Sequence, residues 1–171
     1  MLTMRPPAPA DAPALAALMT PGISRWLGHW PVPFTPAMAE AKIADALAAT
    51  ARGTALVEVL LHDGTVAGWI DGSFRDGPAS GRAGFGYWLG EAYQGRGLLH
   101  ALAPAWVARL HARLRPRTVW AATQPANTGS RRVLATCGLQ PVRCIWMNTP
   151  ARARHEWVEV WERAWPPLNT S

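Results

Sequence analysis

The stretch AGFGYWLGEAYQGRGLL (residues 83–99) decides the fold, because an apolar strand pattern stops within it and a helical pattern begins. Gly95 and Gly97 flank Arg96 in the turn between the two patterns. Glycine accepts positive φ and lets the backbone approach a ligand closely. A helix N-terminus adds free N–H groups and a dipole that favours anions. The turn therefore predicts a cradle for phosphate or pyrophosphate, with a ligand-free glycine turn as the alternative.

Two common nucleotide-binding loops do not match this turn. A Walker A loop needs GxxxxGK[ST], and a dinucleotide loop needs a third glycine where His100 stands. The chain also does not begin with a strand–helix–strand unit. The residues alone therefore disfavour ATP and NAD.

The pattern on both sides of the turn predicts a single domain over residues 1–171. Thr35 followed by Pro36 is a typical helix start. Asp63 and Gly64 mark a hairpin turn between two apolar runs. Pro104 lies inside the helical pattern that follows the glycine turn, and it predicts a kink there. The predicted order is β-α-α-β-β-β-α-β-α-β-β, an α/β layer fold.

The composition is that of a compact globular chain. Hydrophobic residues make up 49% of the sequence and charged residues 16%, which argues against disorder. The formal net charge is +6, carried almost entirely by arginine. Guanidinium suits phosphate, yet most of these arginines are scattered, as on a solvated surface. A nucleic-acid-binding domain would need a one-sided basic stripe with interleaved aromatic residues, so we expect no nucleic-acid partner.

Three further features limit the class of protein. Cys137 and Cys144 lack metal-ligand spacing, and two cysteines do not make a disulfide framework, so no metal is expected. No apolar run reaches 18 residues, so no membrane association is expected. The N-terminus lacks the apolar core of a signal peptide. We expect a soluble cytoplasmic protein.

Three motifs together resemble the GNAT acetyltransferases. QGRGLL (94–99) is similar to their Gln/Arg-x-x-Gly-x-Gly/Ala pyrophosphate loop. GYWLGEAYQGRG (86–97) and NTGSRRVLATCGL (127–139) are similar to the branch of the ribosomal-protein alanine N-acetyltransferases. The resemblance implies an α/β (α+β) GNAT fold. That fold has a central mixed, mostly antiparallel sheet of some seven strands, splayed between the fourth and fifth, with some four helices.

The resemblance implies acetyl-CoA as the acetyl donor. The loop amides would bind its pyrophosphate, the edge of the preceding strand would pair with pantetheine, and an asparagine and an arginine of the later helix would contact pantetheine and phosphate. By this resemblance the pyrophosphate would bind the amides of Gln94, Gly95, Arg96, Gly97, Leu98 and Leu99, and pantetheine would pair with the strand edge at Trp88 and Leu89. Asn127 would also contact pantetheine, and Arg132 or Arg131 would contact phosphate.

The chain departs from the family pattern at three positions. Leu99 replaces the Gly or Ala of the loop, and we expect a weaker fit in which its N–H still donates while its side chain points to the core. Gly84 stands where many relatives carry a glutamate base, and Leu134 where other branches carry a tyrosine acid. With the tyrosine acid missing, the resemblance implies that the Ser130 hydroxyl donates a hydrogen bond to the leaving thiol. A non-catalytic CoA-binding regulator is therefore the alternative function.

The general base is open because the usual glutamate is missing. An α-amine has a pKa of about 7.7–8.0 and a lysine-like amine one of about 10.4, so an α-amine needs only modest help near neutral pH. The absence of the glutamate base thus favours an α-amine or another weakly basic amine as the acceptor. With Ser130, the candidate catalytic residues are Asp71 and Glu91, and His29 is a further candidate base.

The acceptor pocket is expected along PGISRWLGHWPVPF (21–34). Simple coverage of the sheet would explain its aromatic residues equally well. A peptide N-terminus, a polyamine and a small drug-like amine all remain open as acceptors. The last predicted strand, residues 155–165, carries Trp157, Trp161 and Trp165, and a second subunit would cover this apolar edge in a homodimer. The candidate substrate-binding residues are Trp26, His29, Trp30 and Trp69.

Overall fold

The structure, a computed structural model, describes residues 1–165 and consists of one seven-stranded sheet covered by helices on both faces. The element order is the predicted one, with one additional short helix, α2, in the Pro- and Gly-rich segment. The strands and helices are β1 (Leu2–Arg5), α1 (Ala12–Leu18), α2 (Pro21–Ser24), α3 (Pro36–Ala51), β2 (Ala55–His62), β3 (Thr65–Ser73), β4 (Arg82–Leu89), α4 (Leu98–Leu114), β5 (Thr118–Thr123), α5 (Thr128–Thr136), β6 (Gln140–Thr149) and β7 (Arg154–Ala164).

The sheet is antiparallel except at its centre. Its strand order is β1-β2-β3-β4-β5-β7-β6, and only β4 and β5 run parallel. These two strands pair over Arg82–Gly84 and Thr118–Trp120 alone. Beyond those residues they separate, which confirms the splay between the fourth and fifth strands that the resemblance implies.

Local signals in the sequence set the ends of the helices near this gap. The Thr35 side chain accepts a hydrogen bond from the Met38 N–H (3.2 Å) at the start of α3. The Asn127 side chain accepts one from the Ser130 N–H (3.1 Å) at the start of α5. Helix α4 begins directly after Gly97, and it continues without a break through Pro104.

Strand alternation divides β4 between two hydrophobic cores. Phe85 and Leu89 pack with α4 and α5, together with Tyr87, on one face of the sheet. Trp88 packs with α1 and α3 on the other face. Because successive side chains of a strand point to opposite faces, Gly84 and Gly86 share the face of Trp88. The absence of side chains at these two glycines leaves space on that face.

The tryptophans of the C-terminal strand do not form one continuous edge. Trp161 is buried in the core, and Trp165 stacks on His111 with ring centroids 4.4 Å apart. Trp157 is 59% exposed and faces Trp146 across β6 and β7. The apolar surface on which the homodimer prediction depends is thus reduced to these two residues. No helix within residues 1–165 is long and apolar enough to cross a membrane.

Candidate active site

A cleft of about 800 Å³ opens where β4 and β5 separate. Its volume lies within the usual range for small-molecule and cofactor sites. The cleft is lined by the outer halves of β4 and β5, the turn before α4, the start of α5 and the segment around α2. Trp88 and Leu89 lie in this lining, as the resemblance implies. The loop residues, the α5 residues and the acceptor segment of the sequence therefore meet at a single site.

The turn before α4 presents a row of free backbone amides. Gly95 and Gly97 adopt φ of 71° and 70°, and a Cβ added to either would meet nothing within 4 Å. The N–H groups of residues 95–100 donate no hydrogen bond to the part of the chain that the structure describes. Free amides at the N-terminus of a 17-residue helix suit an anion. The local geometry fits the pyrophosphate of a nucleotide-like cofactor.

Leu98 and Leu99 line the cleft and also contact the core. Both side chains are half-buried and pack against the core under α4. The Gln94 side chain donates to the Leu89 carbonyl (2.8 Å) and thereby fixes the turn to the end of β4. Arg96 is exposed at the rim of the cleft. Leu99 therefore faces the core, as predicted, while its N–H remains free to donate.

The start of α5 supplies one arginine and one asparagine to the cleft. Arg132 lines the cleft and is exposed, whereas Arg131 forms an ion pair with Glu159 at 2.9 Å. Arg132 is therefore the better placed of the two for a phosphate. Asn127 uses its side-chain oxygen to cap α5, which leaves its amide NH2 for a ligand in the cleft.

A hydroxyl pair lies between β4 and α5. The Tyr87 hydroxyl is 2.9 Å from the Ser130 hydroxyl and 3.1 Å from the Ser130 carbonyl oxygen. Burial raises the pKa of Tyr87, a shift that its hydrogen bond with Ser130 reduces. Tyr87 therefore stays protonated and can serve as a hydrogen-bond donor. Ser130 does not cap its helix, because Asn127 performs that role.

Tyr87 is a site residue that the sequence interpretation missed. The family motif points to Trp88 and Leu89 of this strand, and the family pattern places a tyrosine acid at position 134, where this chain has leucine. Strand alternation contains the missing signal, because Tyr87 must share the face of Phe85 and Leu89. That face looks toward α5, where Ser130 lies.

Asp71 is the carboxylate that the structure brings into the cleft. It lies on β3 directly opposite Gly86 of β4, and its Oδ1 is 2.9 Å from where a Cβ on Gly86 would stand. Burial raises the pKa of Asp71, an effect that the positive charges of Arg75 and Lys42 reduce. The sequence left the orientation of Asp71 open, and the structure turns it toward the cleft, into the space beside Gly86.

Three basic side chains share the cleft with Asp71, and two of them, Arg75 and Lys42, act on its charge. His29, Lys42 and Arg75 all line the cleft. Burial, with the charges of Arg75 and Lys42, lowers the pKa of His29. Burial also lowers the pKa of Lys42, so that both groups shift toward their neutral forms. No local pattern indicates Lys42 and Arg75 as site residues, because they come from α3 and from the loop after β3.

Two predicted site residues lie away from the cleft. Glu91 is exposed and accepts a hydrogen bond from the Thr20 hydroxyl (2.6 Å), which links the turn after β4 to the segment before α2. Trp69 is 2% exposed and packs edge-on against Trp30 in the core under α1 and α3. Neither contributes to the cleft lining. Their physical role in the structure is to hold the neighbouring elements in place.

The segment around α2 forms one wall, and the C-terminal hairpin holds it. Trp26, His29 and Trp30 line the cleft, although Trp30 is mostly buried. Arg152, in the turn between β6 and β7, donates to the carbonyls of Ser24 and Leu27, each at 2.7 Å. The wall is therefore held by residues more than a hundred positions away in the sequence.

Glu156 fixes the orientation of that arginine. Its carboxylate accepts hydrogen bonds from Arg152 (2.8 and 2.5 Å) and from Arg154 (2.8 Å). The bond from Arg152 is the largest influence that lowers the pKa of Glu156, to about 2. Glu156 therefore remains charged and paired over the whole physiological range of pH.

Comparison with protein families gives one clear assignment of this architecture. A family model described as "Acetyltransferase (GNAT) domain" matches residues 1–140. No curated protein sequence matches the chain significantly.

Several solved structures share the fold over almost the whole chain. RimL, a ribosomal L7/L12 α-N-protein acetyltransferase in complex with coenzyme A, is 21% identical, with a TM-score of 0.80 and coverage of 95% of this chain and 93% of its own. RimJ of Mycobacterium smegmatis, in complex with CoA-disulfide, is 19% identical, with a TM-score of 0.81 and coverage of 99% and 85%. The ribosomal-protein-S5-alanine acetyltransferase of Vibrio fischeri is 18% identical, with a TM-score of 0.81 and coverage of 97% and 96%. At these identities the likeness shows a common fold.

Proposed function

Since this chain belongs to the GNAT acetyltransferase family and transfers acetyl groups from acetyl-CoA to a primary amine, we propose that the splayed cleft holds both substrates at once. The amine then attacks the thioester directly, and no acetylated enzyme forms. Acetyl-CoA supplies an activated acyl group with a thiol as the leaving group. The remaining chemistry must come from side chains and amides of the cleft.

The residues that would hold the donor occupy one end of the cleft. The free amides of residues 95–100 would bind the pyrophosphate, with Arg96 and Arg132 at the rim available to other phosphate oxygens. The edge of β4 at Trp88 and Leu89 lacks a strand partner on the side of β5. That edge and the Asn127 amide would bind the pantetheine arm.

Two groups of donors would assist departure of the thiol. Backbone N–H groups near Trp88 and Leu89 would polarise the thioester carbonyl in the manner of an oxyanion hole. The Tyr87 and Ser130 hydroxyls, 2.9 Å apart, would donate hydrogen bonds to the developing thiolate. A thiol has an ordinary pKa of about 8.5, so such donation helps without being indispensable.

Asp71 would accept the proton of the amine. A carboxylate whose pKa is raised by burial is a stronger base than an ordinary aspartate. An α-amine, with a pKa of about 7.7–8.0, needs only this modest help. His29, whose pKa is lowered, is the second candidate for the base. The proposal does not use Glu91, because its carboxylate is bonded to Thr20 outside the cleft lining.

The position of Asp71 is the observation that favours an acetyltransferase over a non-catalytic CoA-binding regulator. A regulator would keep the amide cradle but would have no use for a partly buried carboxylate beside the donor strand. Burial of a carboxylate costs stability, and titratable groups with perturbed pKa values in a cleft are concentrated at functional sites. Asp71 also occupies the space beside Gly86, two residues along β4 from Gly84, so the adjacent strand supplies a carboxylate on the same face as the position of the missing glutamate.

The test is release of free thiol from acetyl-CoA in the presence of peptide N-terminal amines, polyamines and small aromatic amines. Wild type should acetylate at least one class, and Asp71→Asn should lower kcat/KM by about 100-fold or more without loss of CoA binding. CoA binding with no turnover on any class would favour the regulator.

Three finer assignments belong to the same proposal. The N-terminal α-amine of a peptide or protein is the preferred acceptor, given the weak base. The free thiols of Cys137 and Cys144 support a cytoplasmic location, and the chain is proposed as a single domain over residues 1–171. The exposed pair Trp146 and Trp157 offers the surface for a homodimer, and a monomeric mass by light scattering would exclude it.

A further inference from the structure

The acceptor side of the cleft contains donors that have no acceptor. Trp88 and Trp120 line it, and their indole Nε1 atoms are buried with no hydrogen-bond partner among residues 1–165. Trp88 is only 4% exposed. A buried N–H without a partner is unfavourable, so two of them in one cleft point to a ligand that accepts hydrogen bonds.

Two basic side chains lie near these indoles, one over Trp120 and one over Trp30, whose ring packs edge-on against Trp88 with centroids 5.0 Å apart. The Arg75 guanidinium lies 5.5 Å from the Trp120 ring centroid, and Lys42 Nζ lies 4.5 Å from that of Trp30. Neither side chain forms a hydrogen bond or an ion pair with residues 1–165. Lys42 is also the only lysine of the chain. Arginine and lysine without partners are natural ligands for carboxylate or phosphate.

Negative charge on this side is scarce. Asp71 is the only carboxylate among the described residues that line the cleft. In the proposed function Asp71 faces the amine, so it is not free to neutralise Arg75 and Lys42 as well. An amine with no other charge would leave at least one cation without a counterion.

The donor's phosphates do not account for these cations. Arg75 lies over Gly84, where β4 and β5 are still paired, and its Nε is 2.6 Å from where a Cβ on Gly84 would stand. The amide cradle follows Leu89, at the other end of the strand. Five residues of extended strand separate the two positions by about 16 Å.

We propose that the acceptor substrate carries an anionic group, a carboxylate or a phosphate, which binds Arg75 and Lys42 while its amine lies against Asp71. The indole N–H groups of Trp88 and Trp120 donate to the same substrate. This inference rests on the proposed function, because it assigns the charge of the acceptor within the same cleft.

The test compares acceptors that differ only in charge. Alanyl-glutamate amide and alanyl-glutamine amide have the same α-amine and nearly the same shape, and alanyl-phosphoserine amide supplies a phosphate. Wild type should prefer the glutamate over the glutamine peptide by about tenfold to hundredfold in kcat/KM, as charge-assisted hydrogen bonds predict. Preference for the phosphoserine peptide over the glutamate peptide would identify the anion as phosphate, and the reverse order as carboxylate.

Matched variants locate the effect. Arg75→Gln and Lys42→Gln should each bring the ratio of kcat/KM between the glutamate and the glutamine peptide close to one, whatever the change in rate that the two peptides share. Arg52→Gln removes the same charge from an exposed position at the end of α3, outside the cleft, and should keep the preference. Equal rates for charged and neutral peptides in wild type would overturn the inference and leave the proposed function intact.

A second readout does not depend on turnover. Because Lys42 is the only lysine, its reductive methylation can be followed by mass spectrometry after digestion, apart from the N-terminal amine. N-acetylated alanyl-glutamate amide should slow methylation of Lys42, and the glutamine analogue should not. If no peptide is acetylated, the proposed function fails, and this labelling still decides the inference: equal labelling with both analogues would overturn it.

Discussion

Replacement of Gly97 by alanine tests the phosphate cradle against a control that the chain itself provides. Gly97 has φ of 70°, and an added Cβ would meet nothing within 4 Å, so the methyl group would project into the open cradle. Gly53, at the end of α3, has φ of 72° and an equally open surrounding, but it lies outside the cleft. Both substitutions therefore impose the same backbone strain, and only one of them affects the proposed ligand site.

The strain predicts equal losses in the absence of ligand. A non-glycine residue in the left-handed region costs about 1–2 kcal/mol, which lowers Tm by about 2–8 °C in a chain of this length. CoA at about 100 times its Kd should stabilise wild type and Gly53→Ala by about 2.7 kcal/mol, a rise of about 5–11 °C. If Gly97→Ala weakens binding about 100-fold, the same CoA concentration adds only about 0.4 kcal/mol.

The assay is a thermal melt of the three proteins with and without CoA, and with ATP as a ligand control. A full CoA shift in Gly97→Ala would refute the assignment of the cradle. A loss of the shift in both variants would show that global strain, rather than the cradle, governs the effect.

Three further predictions follow from the cleft and its wall. Tyr87→Phe should lower kcat about tenfold with CoA binding unchanged, since one donor to the thiolate is lost; an unchanged kcat in steady-state assays would remove Tyr87 from the mechanism. Asp71→Asn should leave Tm unchanged or raised near neutral pH, because a carboxylate with a raised pKa costs stability wherever it is charged. On the acid side of the pH profile, log kcat/KM should lose one unit of slope in that variant, and an unaltered profile would point to His29 instead. Glu156, whose pKa falls from 4.5 to about 2 in the folded chain, contributes stability above pH 4.5 that is lost as pH falls toward 2; Glu156→Gln should remove about 1–3 kcal/mol at pH 7 and almost nothing at pH 2 in urea unfolding.

Features set by interactions between residues close in the sequence, such as helix boundaries and turns, were predicted correctly. Thr35, Asn127 and the glycines of the turn mark helix boundaries through local hydrogen bonds and backbone preferences, and all of these boundaries are confirmed. The gap between β4 and β5 came from the family resemblance rather than from residue patterns.

What the sequence could not predict depends on register and on distant contacts. Asp71 faces the cleft because its strand pairs it with Gly86, and a shift of one residue would have turned it to the other face. Trp69 is buried and Glu91 is tied to Thr20 for similar non-local reasons. Arg152 holds the cleft wall around α2 from more than a hundred residues away in the sequence, and no local pattern contains that information.

The short pairing of β4 with β5 leaves the proposed donor site between the two halves of the sheet, so occupancy of that site is expected to affect how long the folded protein persists. Only three residue pairs join the two halves of the sheet, and the proposed donor site fills the gap beyond them. A ligand that binds the folded state alone raises its stability with concentration, so a falling acetyl-CoA pool would increase the unfolded fraction. Unfolded chains are the ones that proteases remove. The abundance of this enzyme is therefore expected to fall during depletion of its own cosubstrate, before any change in its synthesis.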